Sequence, residues 1–164
     1  MIKKKICMLG SFAVGKTSLV QRFVRSIFSE KYLTTIGVKI DHKTIHYGEE
    51  IIHLILWDIH GEDEFQKVQT SYLLGGGGCL LVIDGTRRYT VETALNLKRV
   101  VHQTVGEIPC LFLINKADIR AEWEIEEPDI QRIIHEGGPI IMTSAKTGEG
   151  VEDAFMQLTQ MIIG

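Results

Sequence analysis

Strand-length apolar runs alternate with amphipathic stretches along the whole chain. Ile6-Cys7-Met8-Leu9, Cys79 to Ile83 and Cys110 to Ile114 are apolar at successive positions, the pattern of strands covered on both faces. Segments with helical spacing lie between them, as in Ser18-Leu19-Val20-Gln21-Arg22-Phe23-Val24. The pattern predicts strands near 3–9, 38–47, 51–58, 78–84, 109–115 and 139–143, and helices near 16–26, 64–73, 91–105, 128–136 and 149–162. Tyr47-Gly48-Glu49-Glu50 reads as a hairpin turn, so the second and third strands are antiparallel. The expected fold class is α/β, a six-stranded mostly parallel sheet with one antiparallel strand and helices on both faces. Ligands of such sheets bind at the carboxyl ends of the strands. Gly75 to Gly78 leads into a strand rather than out of one, and reads as a flexible joint.

No linker, repeat or low-complexity tract interrupts this alternation, and 164 residues suffice for one full core, so residues 1–164 are expected to form one domain. A net charge of −3 with 24% charged residues leaves no electrostatic footprint for nucleic acid. Lys3-Lys4-Lys5 is the only basic run and reads as the front of an edge of the first strand. No apolar run is long enough to span a bilayer, and no signal peptide precedes the first strand, which points to the cytoplasm. Cys7, Cys79 and Cys110 each sit inside an apolar run, where a reduced thiol acts as a small hydrophobe.

Directly after the first strand, Gly10-Ser11-Phe12-Ala13-Val14-Gly15-Lys16-Thr17 fits G-x-x-x-x-G-K-[ST] and opens a helix. Glycines let the backbone curl so that successive N–H groups point at an anion, and the helix adds its positive N-terminal end. The candidate phosphate contacts are Phe12, Ala13, Val14, Gly15, Lys16, Thr17 and Ser18, with Lys16 reaching the β- and γ-phosphates and the Thr17 hydroxyl on Mg²⁺.

A phosphate loop alone leaves kinases, ATPases and GTPases open, and the residues that face a base must decide. Asn115-Lys116-Ala117-Asp118 follows the strand Leu111 to Ile114. A carboxylate accepts two hydrogen bonds at once, which suits the adjacent N1–H and exocyclic amine of guanine. Adenine lacks that pair of donors, so Asp118 selects guanine, with Asn115 and Lys116 beside it. Thr143-Ser144-Ala145-Lys146 follows another strand and supports the same base, through Ser144, Ala145 and Lys146.

Over essentially all of its length the chain resembles the Ras-like small GTPases, and within them the Rab branch, on GSFAVGKTS, TTIGV, WDIHG, NKAD and TSAK together. The resemblance implies a GTP-hydrolysing switch that binds GTP and GDP with Mg²⁺. It implies that Thr35 binds Mg²⁺ when the γ-phosphate is present, that Asp58 contacts the metal through water, and that the Gly61 N–H holds the γ-phosphate. It further implies that Phe28 packs edge-on against the base and that Tyr32 closes over the phosphates. Residues 28–40 and 59–73 then meet effectors, exchange factors or activating proteins.

Departures from the family pattern cluster where hydrolysis is carried out. Glu62 stands where relatives usually have a glutamine that orients the attacking water; an ionised carboxylate accepts but does not donate. Ile59 and His60 stand where threonine and alanine are common, and Phe12 occupies a position relatives keep small, crowding the approach of a partner's arginine. Together with Lys16, Thr35 and Gly61, Glu62 makes up the candidate catalytic set, and slow hydrolysis is expected. Each departure also has a plainer reading: Glu62 as the acidic start of a helix, His60 as a solvent-facing loop residue, Phe12 as packing on a switch. Two functional classes remain, a GTPase that turns over and a GTP-binding interaction module controlled by nucleotide exchange. The chain stops at Gly164 without the terminal cysteine of prenylated relatives, so no membrane anchor is expected in it. Peripheral membrane association is expected only where a lipidated tail follows.

Overall fold

The computed structural model describes residues 1–28, 37–61 and 67–164. In chain order the described elements are β1 (Ile2–Gly10), α1 (Lys16–Arg25), β2 (Val38–Tyr47), β3 (Glu50–Ile59), β4 (Gly78–Asp84), α2 (Tyr89–Val105), β5 (Cys110–Asn115), α3 (Glu127–Glu136), β6 (Ile140–Met142) and α4 (Val151–Ile163). Short 3₁₀ turns at Thr70–Leu73 and Ala117–Glu122 join some of them. The strands form a six-stranded sheet in the order β2-β3-β1-β4-β5-β6. Only the β2–β3 pair is antiparallel, closed by the expected hairpin, with Tyr47 opposite Glu50.

Alternation along the central strands sorts side chains into two cores. Ile6, Met8, Leu80, Val82, Leu111 and Leu113 face one way, against Leu19 and Phe23 of α1 and Phe155 and Leu158 of α4. Cys7, Leu9, Leu81, Ile83, Phe112 and Ile114 face the other way, against Leu95 and Val101 of α2 and Ile133 of α3. This is why Cys79 to Ile83 of β4 and Cys110 to Ile114 of β5 are apolar at successive positions: neither face meets water. Cys7, Cys79 and Cys110 stand in register across β1, β4 and β5, buried and free.

Three local expectations change. The helix expected over 64–73 is, in its described part, only the 3₁₀ turn Thr70–Leu73, preceded by Gln69 in an extended conformation. β1 lies inside the sheet, with β3 beside Ile2–Met8 and β4 beside it only from Ile6, so the side of Lys3 and Lys4 away from β3 has no strand beside it, whereas Lys5 is already fastened. Lys5 Nζ instead sits 3.4 Å from the Trp57 ring centroid and donates to Leu74 O at 2.8 Å. The glycine run before β4 is fastened to β1, because the Gly77 N–H donates to Lys5 O at 2.8 Å.

Phe23 and Phe155 stack with ring centroids 4.0 Å apart and join α1 to α4 beneath the sheet. Phe155→Ala should cost about 3–4 kcal/mol of unfolding free energy, since a wholly buried ring leaves a cavity facing a second ring. Urea denaturation measures it.

Candidate functional site

Parallel strands deliver their carboxyl ends to one edge of the sheet: Gly10 of β1, Asp84 of β4 and Asn115 of β5. The phosphate loop leaves β1 there and returns as α1. Gly15 has φ +108 and lies so close to Asn115 that a Cβ would collide with the Asn115 amide. Glycine is required at that point both by conformation and by space. Ala13 adopts the left-handed conformation, at φ 60.

Lys16 is buried, and its ammonium donates to Ser11 O at 3.0 Å. Burial pushes its pKa down to about 8; the Asp58 carboxylate opposes that shift and the Arg87 guanidinium adds to it. An anion in the loop would relieve this cost. Thr17 Oγ1 donates to Asp58 Oδ2 at 2.6 Å, so a hydroxyl and a carboxylate oxygen, on elements 41 residues apart, meet beside Lys16. Among the described residues no three His, Cys, Asp or Glu side chains gather into a metal cluster. Hard oxygen donors in small number are what Mg²⁺ accepts, with phosphate and water completing its shell. The donor set therefore fits Mg²⁺. The Ser11 hydroxyl is buried in the same loop without a hydrogen-bond partner among the described residues.

Gly61 lies against the phosphate loop, where a Cβ would come within 2.7 Å of Phe12 N. Phe12 is 42% exposed, and Phe28 is half-buried against the core beneath the sheet. Tyr32, Thr35 and Glu62 lie outside the described residues. His60 is buried rather than facing solvent, because its ring is held between two carbonyls, Gly37 O at 3.2 Å and Lys67 O at 3.1 Å.

On the base side, Asn115 Nδ2 donates to Val14 O at 3.0 Å and Asn115 Oδ1 accepts from Thr143 Oγ1 at 3.1 Å. Its side chain braces the phosphate loop, β5 and the loop after β6 together. Asp118 is exposed, and Ser144 Oγ donates to its Oδ1 at 2.7 Å. The Ala117 N–H donates to Thr143 O at 2.9 Å, which closes the two base-side loops on each other. Lys116, in the left-handed conformation at φ 73, places Nζ 2.8 Å from Asp84 Oδ2.

Asp84 and Arg87 escaped the sequence reading. The Asp84 carboxylate is fully buried and accepts from Lys116, from Arg87 Nε at 2.9 Å and from the Thr86 N–H and hydroxyl at 2.8 and 2.7 Å. Burial pushes its pKa up, but the hydrogen bonds from Lys116, Thr86 and Arg87 together outweigh that and hold it below the usual carboxylate range. Arg87 reaches on to Phe12 O at 2.9 Å, tying β4 to the phosphate loop. The available signal was an apolar strand ending in an acid, followed by Arg87 and Arg88.

The Ras family profile matches residues 5–164. The chain belongs to the Ras family. It is similar to Ras-related protein Rab-4 of Dictyostelium discoideum, 34% identical over 97% of this chain and 78% of that protein. It is similar also to Ras-related protein RABA1f of Arabidopsis thaliana, 32% identical over 96% of this chain and 74% of that one. Ras-related protein Rab-7L1 of Homo sapiens is 32% identical over 97% of this chain and 82% of its own length. A Ras-family chain with Rab-named relatives is a small GTPase, a nucleotide-binding switch. Among the described residues, no helix is long and apolar enough to cross a membrane.

Asp84→Asn should destabilise the fold by about 2 kcal/mol near neutrality, since charged hydrogen bonds to Lys116 and Arg87 are weakened. A carboxyl with a lowered folded pKa contributes stability above its unfolded value near 3.9, and loses it as pH falls through the folded value. The gap between wild type and variant should therefore close below about pH 4, as read by urea denaturation at several pH values.

Proposed function

We propose that this chain is a guanine-nucleotide switch that binds GDP and GTP with Mg²⁺ and hydrolyses GTP slowly, with residues 1–164 forming one G domain. The observation that carries this reading is the Asn115 brace. By bonding Val14 O and Thr143 Oγ1, it sets the base-side loops against the phosphate loop, so that one nucleotide reaches both.

In this reading the backbone N–H groups of Phe12, Ala13, Val14, Gly15 and Lys16 to Ser18 cradle the phosphates, and Lys16 neutralises the β- and γ-phosphate charge. Thr17, Asp58 and Thr35 hold Mg²⁺, which when bound offsets charge on the phosphate oxygens. Gly61 offers its N–H to the γ-phosphate. Asp118 pairs with the donor edge of guanine, Lys116 and Phe28 flank the ring, Ser144 orients Asp118, and Ala145 and Lys146 complete the base pocket. Tyr32 covers the phosphates. Residues 28–40 and 59–73 present the partner surface, which the 44% exposure of Ile40 and the half-exposed Tyr72 support.

Slow hydrolysis rests on two residues. Glu62 lacks the donor a water-orienting glutamine supplies. Phe12 stands exposed beside Gly61, in the approach an activating arginine would need.

Competition binding with the purified chain in Mg²⁺ tests the guanine assignment. GDP and GTP should exceed ATP by about 10⁴-fold, because a site built around hydrogen-bonding groups leaves them unpaired against the wrong base. Equal affinity for ATP and GTP would remove the assignment.

Single-turnover hydrolysis tests the slow rate. Glu62→Gln combined with Phe12→Gly should hydrolyse GTP faster than wild type by about tenfold or more, and faster than either single change. A double variant no faster than wild type sinks the roles given to both residues.

A further inference from the structure

None of the roles above uses His42 of β2 or His53 of β3, yet the fold brings their rings together. The two strands are antiparallel neighbours with His42 opposite Ile55 and Thr44 opposite His53, so the histidines sit diagonally across the ladder on one face. His42 Nδ1 and His53 Nε2 are 3.0 Å apart. His42 is exposed and His53 half-buried, which leaves the pair open to solvent.

At that separation one ring nitrogen supplies a proton and the other a lone pair, and a third group decides which is which. Thr44 Oγ1 lies 3.2 Å from His53 Nδ1. By accepting from an Nδ1–H it leaves the His53 lone pair on Nε2, turned toward His42, as an outer partner does for a metal-ligating histidine. His42 then donates from Nδ1. If His42 carries its proton on Nε2 instead, Nδ1 presents a second lone pair beside the first, and no proton is gained or lost overall.

Two imidazole nitrogens at this spacing match the bite of a late first-row divalent cation. Metal–nitrogen bonds of about 2.0–2.1 Å set at a right angle, as at adjacent corners of a square plane or octahedron, place the nitrogens about 2.9 Å apart. Imidazole suits Cu²⁺, Ni²⁺ and Zn²⁺, whereas Mg²⁺ prefers hard oxygen donors. Among the described residues no three His, Cys, Asp or Glu gather into a metal group, so these two ligands leave the rest of the shell to water. Lys3 of β1 is paired in register with His53, and an exposed ammonium opposes a second cation by no more than about fivefold in affinity.

We propose that His42 and His53, with Thr44 orienting the second ring, form a chelating site for a late first-row divalent cation, taking Cu²⁺ or Ni²⁺ in preference to Mg²⁺. The site lies on the β2–β3 ladder and does not rest on the guanine-nucleotide reading.

Calorimetric titration of the untagged chain with Ni²⁺, in excess Mg²⁺, tests it. Wild type should bind one equivalent, and His42→Ala and His53→Ala should each weaken that equivalent about 100-fold, because the second arm of a chelate acts at high effective concentration. Thr44→Val keeps both rings and should cost about tenfold. His46→Ala, two places beyond Thr44 on β2, should stay within about twofold of wild type. Paramagnetic resonance of bound Cu²⁺ gives a readout that a merely structural role would not move: coupling to two imidazole nitrogens in wild type and to one in either histidine variant. Should His53→Ala not fold, His53→Gln reads the same loss. Wild-type Ni²⁺ affinity in both histidine variants, an equal loss in His46→Ala, or no Ni²⁺ binding above excess Mg²⁺ overturns the proposal.

Discussion

A single amide side chain holds the candidate site together. Asn115 donates to Val14 O in the phosphate loop and accepts from Thr143 beyond β6, so its two ends join segments from opposite halves of the chain. The fit is close enough that residue 15 has no room for a Cβ. Such an anchor works only because β1, β4 and β5 run parallel and in register, bringing their carboxyl ends to one level. The sheet supplies the level and the amide fixes the spacing. A mobile brace would let the phosphate and base sites drift, and binding at two points on one ligand tolerates little drift.

Around that brace the charges are arranged unequally. Asp84 has a full complement of donors from Lys116, Arg87 and Thr86, and holds the β4 and β5 ends as a neutralised unit. Lys16 has a backbone carbonyl and the field of Asp58 to set against its burial, and the proximity of Arg87 works against it. The chain as a whole carries a net charge of −3, yet this corner gathers three cations. The imbalance at Lys16 is a stability cost in the nucleotide-free fold and a source of affinity for an anion, the exchange expected of a binding site.

Much of the fold could be read in the sequence because its signals are local. Strand-length apolar runs, the hairpin at Gly48 and the G-x-x-x-x-G-K-[ST] loop each fit within a dozen residues, and all appear where expected. What stayed hidden depends on partners far along the chain. Asp84 ends a strand, and its role depends on Lys116, 32 positions further along the chain, as well as on Arg87. Arg22 lies in a segment read only for its helical spacing, and its partners are backbone carbonyls more than 120 residues away. Carbonyls have no side-chain identity, so no motif records them. The expected helix over 64–73 failed in its described part for a related reason, since Lys67 O is taken by the His60 ring and Gln69 is extended.

His60 changes the meaning of the departures from the family pattern. Standing between Asp58 and Glu62, it is one of the departures that cluster where relatives carry out hydrolysis, and its plainer reading was a solvent-facing loop residue. Its ring is instead buried between Gly37 O and Lys67 O, and its backbone N–H donates to Gly37 O at 2.9 Å, continuing the β2–β3 ladder. Residues 37 and 67 are thereby fastened to the same side chain, so the two proposed partner segments share an anchor at the carboxyl end of β3. An alanine there makes neither ring contact. The histidine therefore belongs to the architecture that spaces the segments. The proposal of slow hydrolysis therefore rests on Phe12, which stands exposed against Gly61, and on Glu62, which differs from glutamine by the loss of a donor.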